Sequence, residues 1–128
     1  MKTILACFLF LGSFAALSQT KVENVDAATF KKLIDEKNGY LIDLRTDDEL
    51  KNKGYIKGAV QIDYFGKNAE AVISKLDKSN TYLIYCAGGG RSGECADLMK
   101  KEGFSHVVNL EKGFDDWKKK GFETEVKK

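Results

Sequence analysis

A parallel α/β sheet with helices on both faces is the fold class this sequence predicts, and three observations carry it. Strand-like and helix-like segments alternate through residues 22 to 126, the pattern of strand–helix–strand crossovers in a parallel sheet. Two of the strand candidates, YLIDL at 40–44 and YLIYC at 82–86, are near-continuous apolar runs, as strands covered on both faces are. Turn signals bound each segment, while proline is absent throughout and no repeat or low-complexity tract interrupts the alternation.

The elements follow in order. VENV at 22–25 is a short strand, and Asp26 caps a helix with Phe30, Leu33 and Ile34 on its apolar face, ending at Asn38 and Gly39. YLIDL is the second strand, broken only by Asp43, and Asp47 or Asp48 opens a short helix that stops at Gly54. AVQI at 59–62 is the third strand, and the helix Ala69 to Leu76 places Ala69, Val72, Ile73 and Leu76 on one face. YLIYC is the fourth and strongest strand. The helix from Ser92 to Glu102 carries Cys95, Ala96 and Met99 on one side and closes at Gly103. HVVNL at 106–110 is the fifth strand, and Gly113 precedes a final helix carrying Trp117.

With 128 residues, 43% hydrophobic and 31% charged, the chain has an ordinary globular composition and is long enough to bury one core. A formal charge of +2, with no basic stripe interleaved by aromatics, speaks against nucleic acid as a partner. The lysines at 118–120 and 127–128 read as a solvated face. The first stretch differs: Lys2 precedes an uncharged apolar run from Ile4 to Leu17, too short to span a bilayer. It reads as a secretory signal peptide over residues 1–18, cut after Ser18 behind the small Ala16. That reading places the mature protein outside the cytoplasm, periplasmic or extracellular, with no membrane attachment once the leader is gone. Its removal leaves Cys86 and Cys95 as the cysteines of the mature chain.

Residues 82–93, YLIYCAGGGRSG, carry the chemistry. The strand delivers Cys86 to the C-terminal edge of the sheet, where ligands of open parallel sheets sit. Ala87, Gly88, Gly89 and Gly90 have almost no side chain, so their N–H groups are free to turn toward one point, and the helix after them directs its positive N-terminal end there. A thiol in that setting ionises easily, because the amides stabilise the thiolate. The lone histidine, His106, falls at the start of a strand and reads as a surface or strand-edge residue. A thiolate prepared by amides needs no base, which suits attack on sulfur or phosphorus with a good leaving group. Cys95 shares a helix face with Ser92, Ala96 and Met99, is expected to pack toward the sheet, and is not expected to reach Cys86 for a disulfide.

CAGGGRSG between an apolar strand and a helix resembles the active-site loop of the rhodanese family of sulfurtransferases. IDLRTDDELKNKGYIKGAVQID at 42–63 is similar to that family's upstream signature, and NLEKGFDDWKKKGFETE at 109–125 to its closing element, with Gly113 and Trp117 in place. Tyr55 and Lys57 stand where the family usually has His and Pro. The resemblance implies a rhodanese-like domain over 22–126, with a five-stranded, mainly parallel sheet. It implies no cofactor or metal, and a reaction in which Cys86 takes a sulfane sulfur from a small anionic donor such as thiosulfate and passes it to cyanide, a thiol or a sulfur-relay protein. In that reading the amides of Ala87 to Ser92 hold the persulfide. Arg91 binds the donor or pairs with an acid such as Asp43, bracing the loop, and Arg45 is a second contact for the anion. The four residues between Cys86 and Arg91 match sulfurtransferases, whereas the related phosphatases and arsenate reductases carry five. The loop itself has no charge, which leaves all positive charge to Arg91 and Arg45. Two other functions stay open at this level: a non-catalytic module of the same fold that binds an anion or a protein, and a thiol redox protein that uses both cysteines.

Overall fold

The computed structural model describes residues 19–128; the expected leader over 1–18 lies outside them. Five strands and five helices alternate: β1 Lys21–Val25, α1 Ala27–Asp35, β2 Tyr40–Asp43, α2 Asp47–Lys53, β3 Val60–Gln61, α3 Ala69–Ser74, β4 Thr81–Tyr85, α4 Gly90–Lys101, β5 His106–Leu110 and α5 Gly113–Lys119. The strands form one sheet in the order β1-β5-β4-β2-β3, and every pairing is parallel.

The order explains the layering. Steps from β1 to β2 and β2 to β3 run one way across the sheet, and steps from β3 to β4 and β4 to β5 run the other way. Right-handed crossovers then force the helices of the two series onto opposite faces. The buried side chains agree. Ile73 of α3 and Cys95, Ala96 and Met99 of α4 pack with Tyr82 and Ile84. Ala27 and Phe30 of α1 and Phe114 and Trp117 of α5 pack with Leu83 and Tyr85. Alternate residues of β4 therefore feed alternate faces, which is why its sequence is apolar throughout. The direction of travel reverses between β4 and β2, so the crevice beyond their C-terminal ends is the topological switch point. Cys86 follows β4 there, and Arg45 follows β2.

Local signals set the helix starts. Asp26 accepts the Thr29 N–H at 2.8 Å. Thr46 and Glu49 form a reciprocal capping box at α2, the N–H of each accepted by the side chain of the other. Four elements differ from expectation, the first being α1, which ends at Asp35 and not at Asn38 and Gly39. β3 has two residues where four were expected, and α3 stops at Ser74. Within α3, Ile73 is buried but Val72 is 44% exposed: a helix of under two turns aligns a single row against the sheet, and Val72 falls beside that row. α4 begins at Gly90, two residues earlier than expected, behind Gly89 with φ 102°. Tyr55, in the first departure from the family pattern, bridges Glu125 through both backbone groups, at 2.9 and 2.8 Å, closing the C-terminal tail onto the domain.

Candidate active site

Cys86 is 1% exposed and sits at the base of its own loop. Its Sγ accepts the Gly89 N–H at 3.1 Å and the Ser92 N–H at 3.4 Å, and lies 3.4 Å from the Ser92 Oγ. The Ser92 Oγ is also 3.2 Å from the Gly89 carbonyl oxygen. These two partners let one hydroxyl serve both states of the sulfur: it donates to Gly89 O while the thiol is protonated and turns to donate to Sγ when the thiolate forms. Burial pushes the Cys86 thiol up, but bonds from the Ser92 hydroxyl, the Ser92 N–H and the N–H groups of Gly89 and Gly88 outweigh it, and the net shift is down. Ser92→Ala removes the hydroxyl and keeps the N–H. It is expected to cut the thiolate fraction near neutral pH about tenfold, the equivalent of one bond to a charged acceptor at ~1.5 kcal/mol. The pH dependence of iodoacetamide alkylation reads this directly, as a midpoint displaced to higher pH.

The glycines of the loop have different duties. A Cβ on Gly89 would lie 2.1 Å from the Glu111 carbonyl oxygen, and φ is 102°, so both space and backbone demand glycine. A Cβ on Gly88 or Gly90 would meet no neighbouring atom within 4 Å, so the outer side of the loop is open at both positions. The loop is held from behind by the start of α5. Phe114 N–H donates to Cys86 O at 2.8 Å and Asp115 N–H to Ala87 O at 3.0 Å. That approach is close enough that a Cβ on Gly113 would meet the Ala87 oxygen at 2.3 Å. Gly113 is therefore part of the site, a role its position in the closing motif did not reveal.

Arg91 does not pair with Asp43. Its guanidinium grips Glu49 of α2 in a two-pronged ion pair, 2.6 and 2.9 Å, and lies 4.7 Å from the Phe65 ring centroid. The arginine bond holds the Glu49 carboxyl down at about 2, against desolvation and with help from the Thr46 N–H. Glu49 at this depressed value contributes stability above its ordinary value of 4.5, and that contribution disappears as pH falls toward about 2. With the pair partly exposed, Glu49→Gln is expected to cost about 1–2 kcal/mol at neutral pH and nothing at the acid end. Urea unfolding of both proteins at the two pH values measures the difference.

Arg45, expected as a second anion contact, is corrected by its position: it is fully buried. Its Nε and Nη2 donate to Asp43 Oδ1 and Oδ2 at 3.0 and 2.8 Å, Nη2 also donates to Gly54 O at 2.8 Å, and the guanidinium carbon lies 3.9 Å over the Phe114 ring. Asp43, itself buried, further accepts the Tyr85 hydroxyl at 2.5 Å, and that oxygen accepts the Ile56 N–H at 3.1 Å. Burial first, and the neighbouring Asp43 second, push the Tyr85 phenol far up, so it remains a donor. The network joins β2, β4 and the 54–56 segment beneath the switch point. It is architecture under the site and offers no free cation at its surface.

Cys95 is buried beneath α4, and burial pushes its thiol up to about 12, with a smaller push from Cys86. Both cysteines are free thiols. No local sequence pattern assigns Glu49, Tyr85 or Phe65 to the site. A pairing 42 residues along the chain, as between Glu49 and Arg91, has no local signature.

A parallel α/β domain with an amide-cradled thiol at its switch point is thus the class of protein present. The sequence profile of the rhodanese-like domain family matches residues 26–120, and the chain belongs to that family. Among its relatives, the Arabidopsis thaliana mitochondrial protein HIGH ARSENIC CONTENT 1 is 34% identical over 112 residues, 79% of this chain. The chain spans only 64% of that relative's length. A protein named sulfurtransferase from Allochromatium vinosum is 28% identical over 78% of this chain and 92% of its own. The crystal structure of a rhodanese-like domain protein from Staphylococcus aureus superposes with a TM-score of 0.66 at 28% identity, covering 86% of this chain and 99% of the other.

Proposed function

We propose that this protein is a sulfurtransferase that carries a sulfane sulfur as a persulfide on Cys86. The observation that supports it most is the environment of the sulfur: a buried Sγ facing two loop N–H groups and the Ser92 hydroxyl, in a loop whose residues 87–90 carry almost no side chain. The thiolate attacks the outer sulfur of a donor such as thiosulfate. The Sγ–S bond forms as the donor's S–S bond breaks, and the electron pair leaves on the departing anion, sulfite in that case. A thiol, cyanide or a sulfur-relay protein then attacks the outer sulfur and restores the thiolate. The loop amides hold negative charge at the same point in every state, so little reorganisation accompanies the transfer. Ala87 to Ser92 are the residues of this cradle. Arg91 acts as a brace between α2 and α4 through Glu49, and Asp43 with Arg45 supports the loop from below.

The apolar leader over residues 1–18 leads us to place this activity in the periplasm or outside the cell. Incubation with thiosulfate, polysulfide and mercaptopyruvate in turn, followed by intact-mass measurement, tests the catalytic reading. The expected result is a gain of one sulfur atom that cyanide removes and that Cys86→Ser lacks. A protein whose mass stays unchanged with all three donors is not a sulfurtransferase.

A further inference from the structure

No uncommitted cation faces Cys86 among the residues that build its site. Arg45 is neutralised by Asp43 below the loop, and Arg91 by both oxygens of Glu49 beside it. The loop residues Ala87 to Gly90 carry no charge. Two guanidinium groups and two carboxylates sum to zero, and the Cys86 thiolate makes the site formally negative. Asp63 adds a further negative charge on the Arg91 side of the site. The positive features left are peptide N–H groups, which are partial charges suited to one sulfur anion. A doubly charged donor enters such a site against repulsion. Beside the loop, over the Arg91 guanidinium, stands a large apolar surface instead: Phe65, 69% exposed.

We propose, building on the sulfurtransferase reading, that the preferred donor is an organic hydropersulfide, R–S–SH, whose organic group carries no net negative charge and leans on Phe65. The Cys86 thiolate attacks the outer sulfur. The Sγ–S bond forms, the R–S–S bond breaks with its electron pair leaving on R–S⁻, and the proton stays on the transferred sulfur. No oxidant or reductant enters.

Gly88 supplies the internal control. Its φ is not positive and its Cβ direction is open, so Gly88→Arg adds a cation on the loop without strain. The experiment compares the rate of Cys86 loading, followed by intact mass, for hydroxyethyl hydropersulfide, sulfonatoethyl hydropersulfide and thiosulfate. The first two share their leaving-group chemistry and differ in charge. The neutral donor is expected to load about tenfold faster than the sulfonate at low salt, with the gap narrowing at high salt as charges are screened. Gly88→Arg is expected to close that gap and raise thiosulfate loading about tenfold, the worth of one charge-assisted contact. Phe65→Ala is expected to slow the neutral donor about threefold or more and to shrink its lead over the sulfonate in the same proportion, as loss of one apolar contact does. Loading by the sulfonate or thiosulfate as fast as by the neutral donor would overturn this inference while leaving the sulfurtransferase reading intact. Loading by none of the three would refute that reading, and this inference with it.

Discussion

Cys86→Ser is expected to abolish persulfide formation and lower turnover by roughly a thousandfold or more, because in the proposed reaction it removes the nucleophile and leaves everything around it in place. Serine fits the pocket that holds the thiol, and its hydroxyl accepts the same N–H groups from Gly89 and Ser92. What it lacks is an accessible anion: amides that stabilise a thiolate do not bring an alcohol near ionisation. The paired measurement is Cys95→Ala. Cys95 is buried, and its thiol is pushed up to about 12, so it stays protonated and its removal is expected to change turnover by less than about threefold while costing ~1 kcal/mol of packing. Steady-state assays of the two variants separate sulfur transfer from dithiol redox chemistry. A redox protein would lose activity with either cysteine.

The second large effect falls on stability. Asp43→Ala is expected to cost about 3–5 kcal/mol, since it strands the buried Arg45 guanidinium and the Tyr85 hydroxyl together. For a domain of this size that lowers the unfolding midpoint by at least ~10 °C. The double variant Asp43→Leu with Arg45→Met removes both charges and is expected to recover most of the loss, as apolar replacements of buried ion pairs do. Thermal unfolding followed by circular dichroism checks both. If Asp43→Ala were to unfold within a few degrees of the parent, the network would be an accident of packing rather than the support beneath the loop.

Most of the fold was legible because its signals are local. An apolar run such as YLIYC announces a strand covered on both faces, and β4 is covered on both. Asp26 announces a helix start and its cap forms, while the second helix, expected to open at Asp47 or Asp48, is capped one residue earlier by Thr46. The bounds that differ at β3 and α3 lie where elements are only two and six residues long and periodicity has too few residues to act on, and the earlier start of α4 falls on Gly90, a residue with no helix-start signal of its own. Val72 shows the same weakness: apolar type suggested a buried face, and the short helix turned it to solvent.

The site divides along the same line. Cys86, its glycine loop and the helix that follows are contiguous, so a thiol among amides at a strand end is readable from the residues alone, and the order of the motifs points to the family. The arginines were decided only by tertiary structure. Arg91 reads as a contact for the donor or a brace and Arg45 as a second contact, yet Arg45 is sealed beneath the sheet edge with Asp43 and Arg91 is clamped by Glu49, 42 residues away along the chain. The physical reason is that a backbone amide's direction follows from local conformation, whereas the partner of a long charged side chain is whichever opposite charge the completed fold brings within reach. That partner decides whether an arginine receives a substrate or holds the protein together.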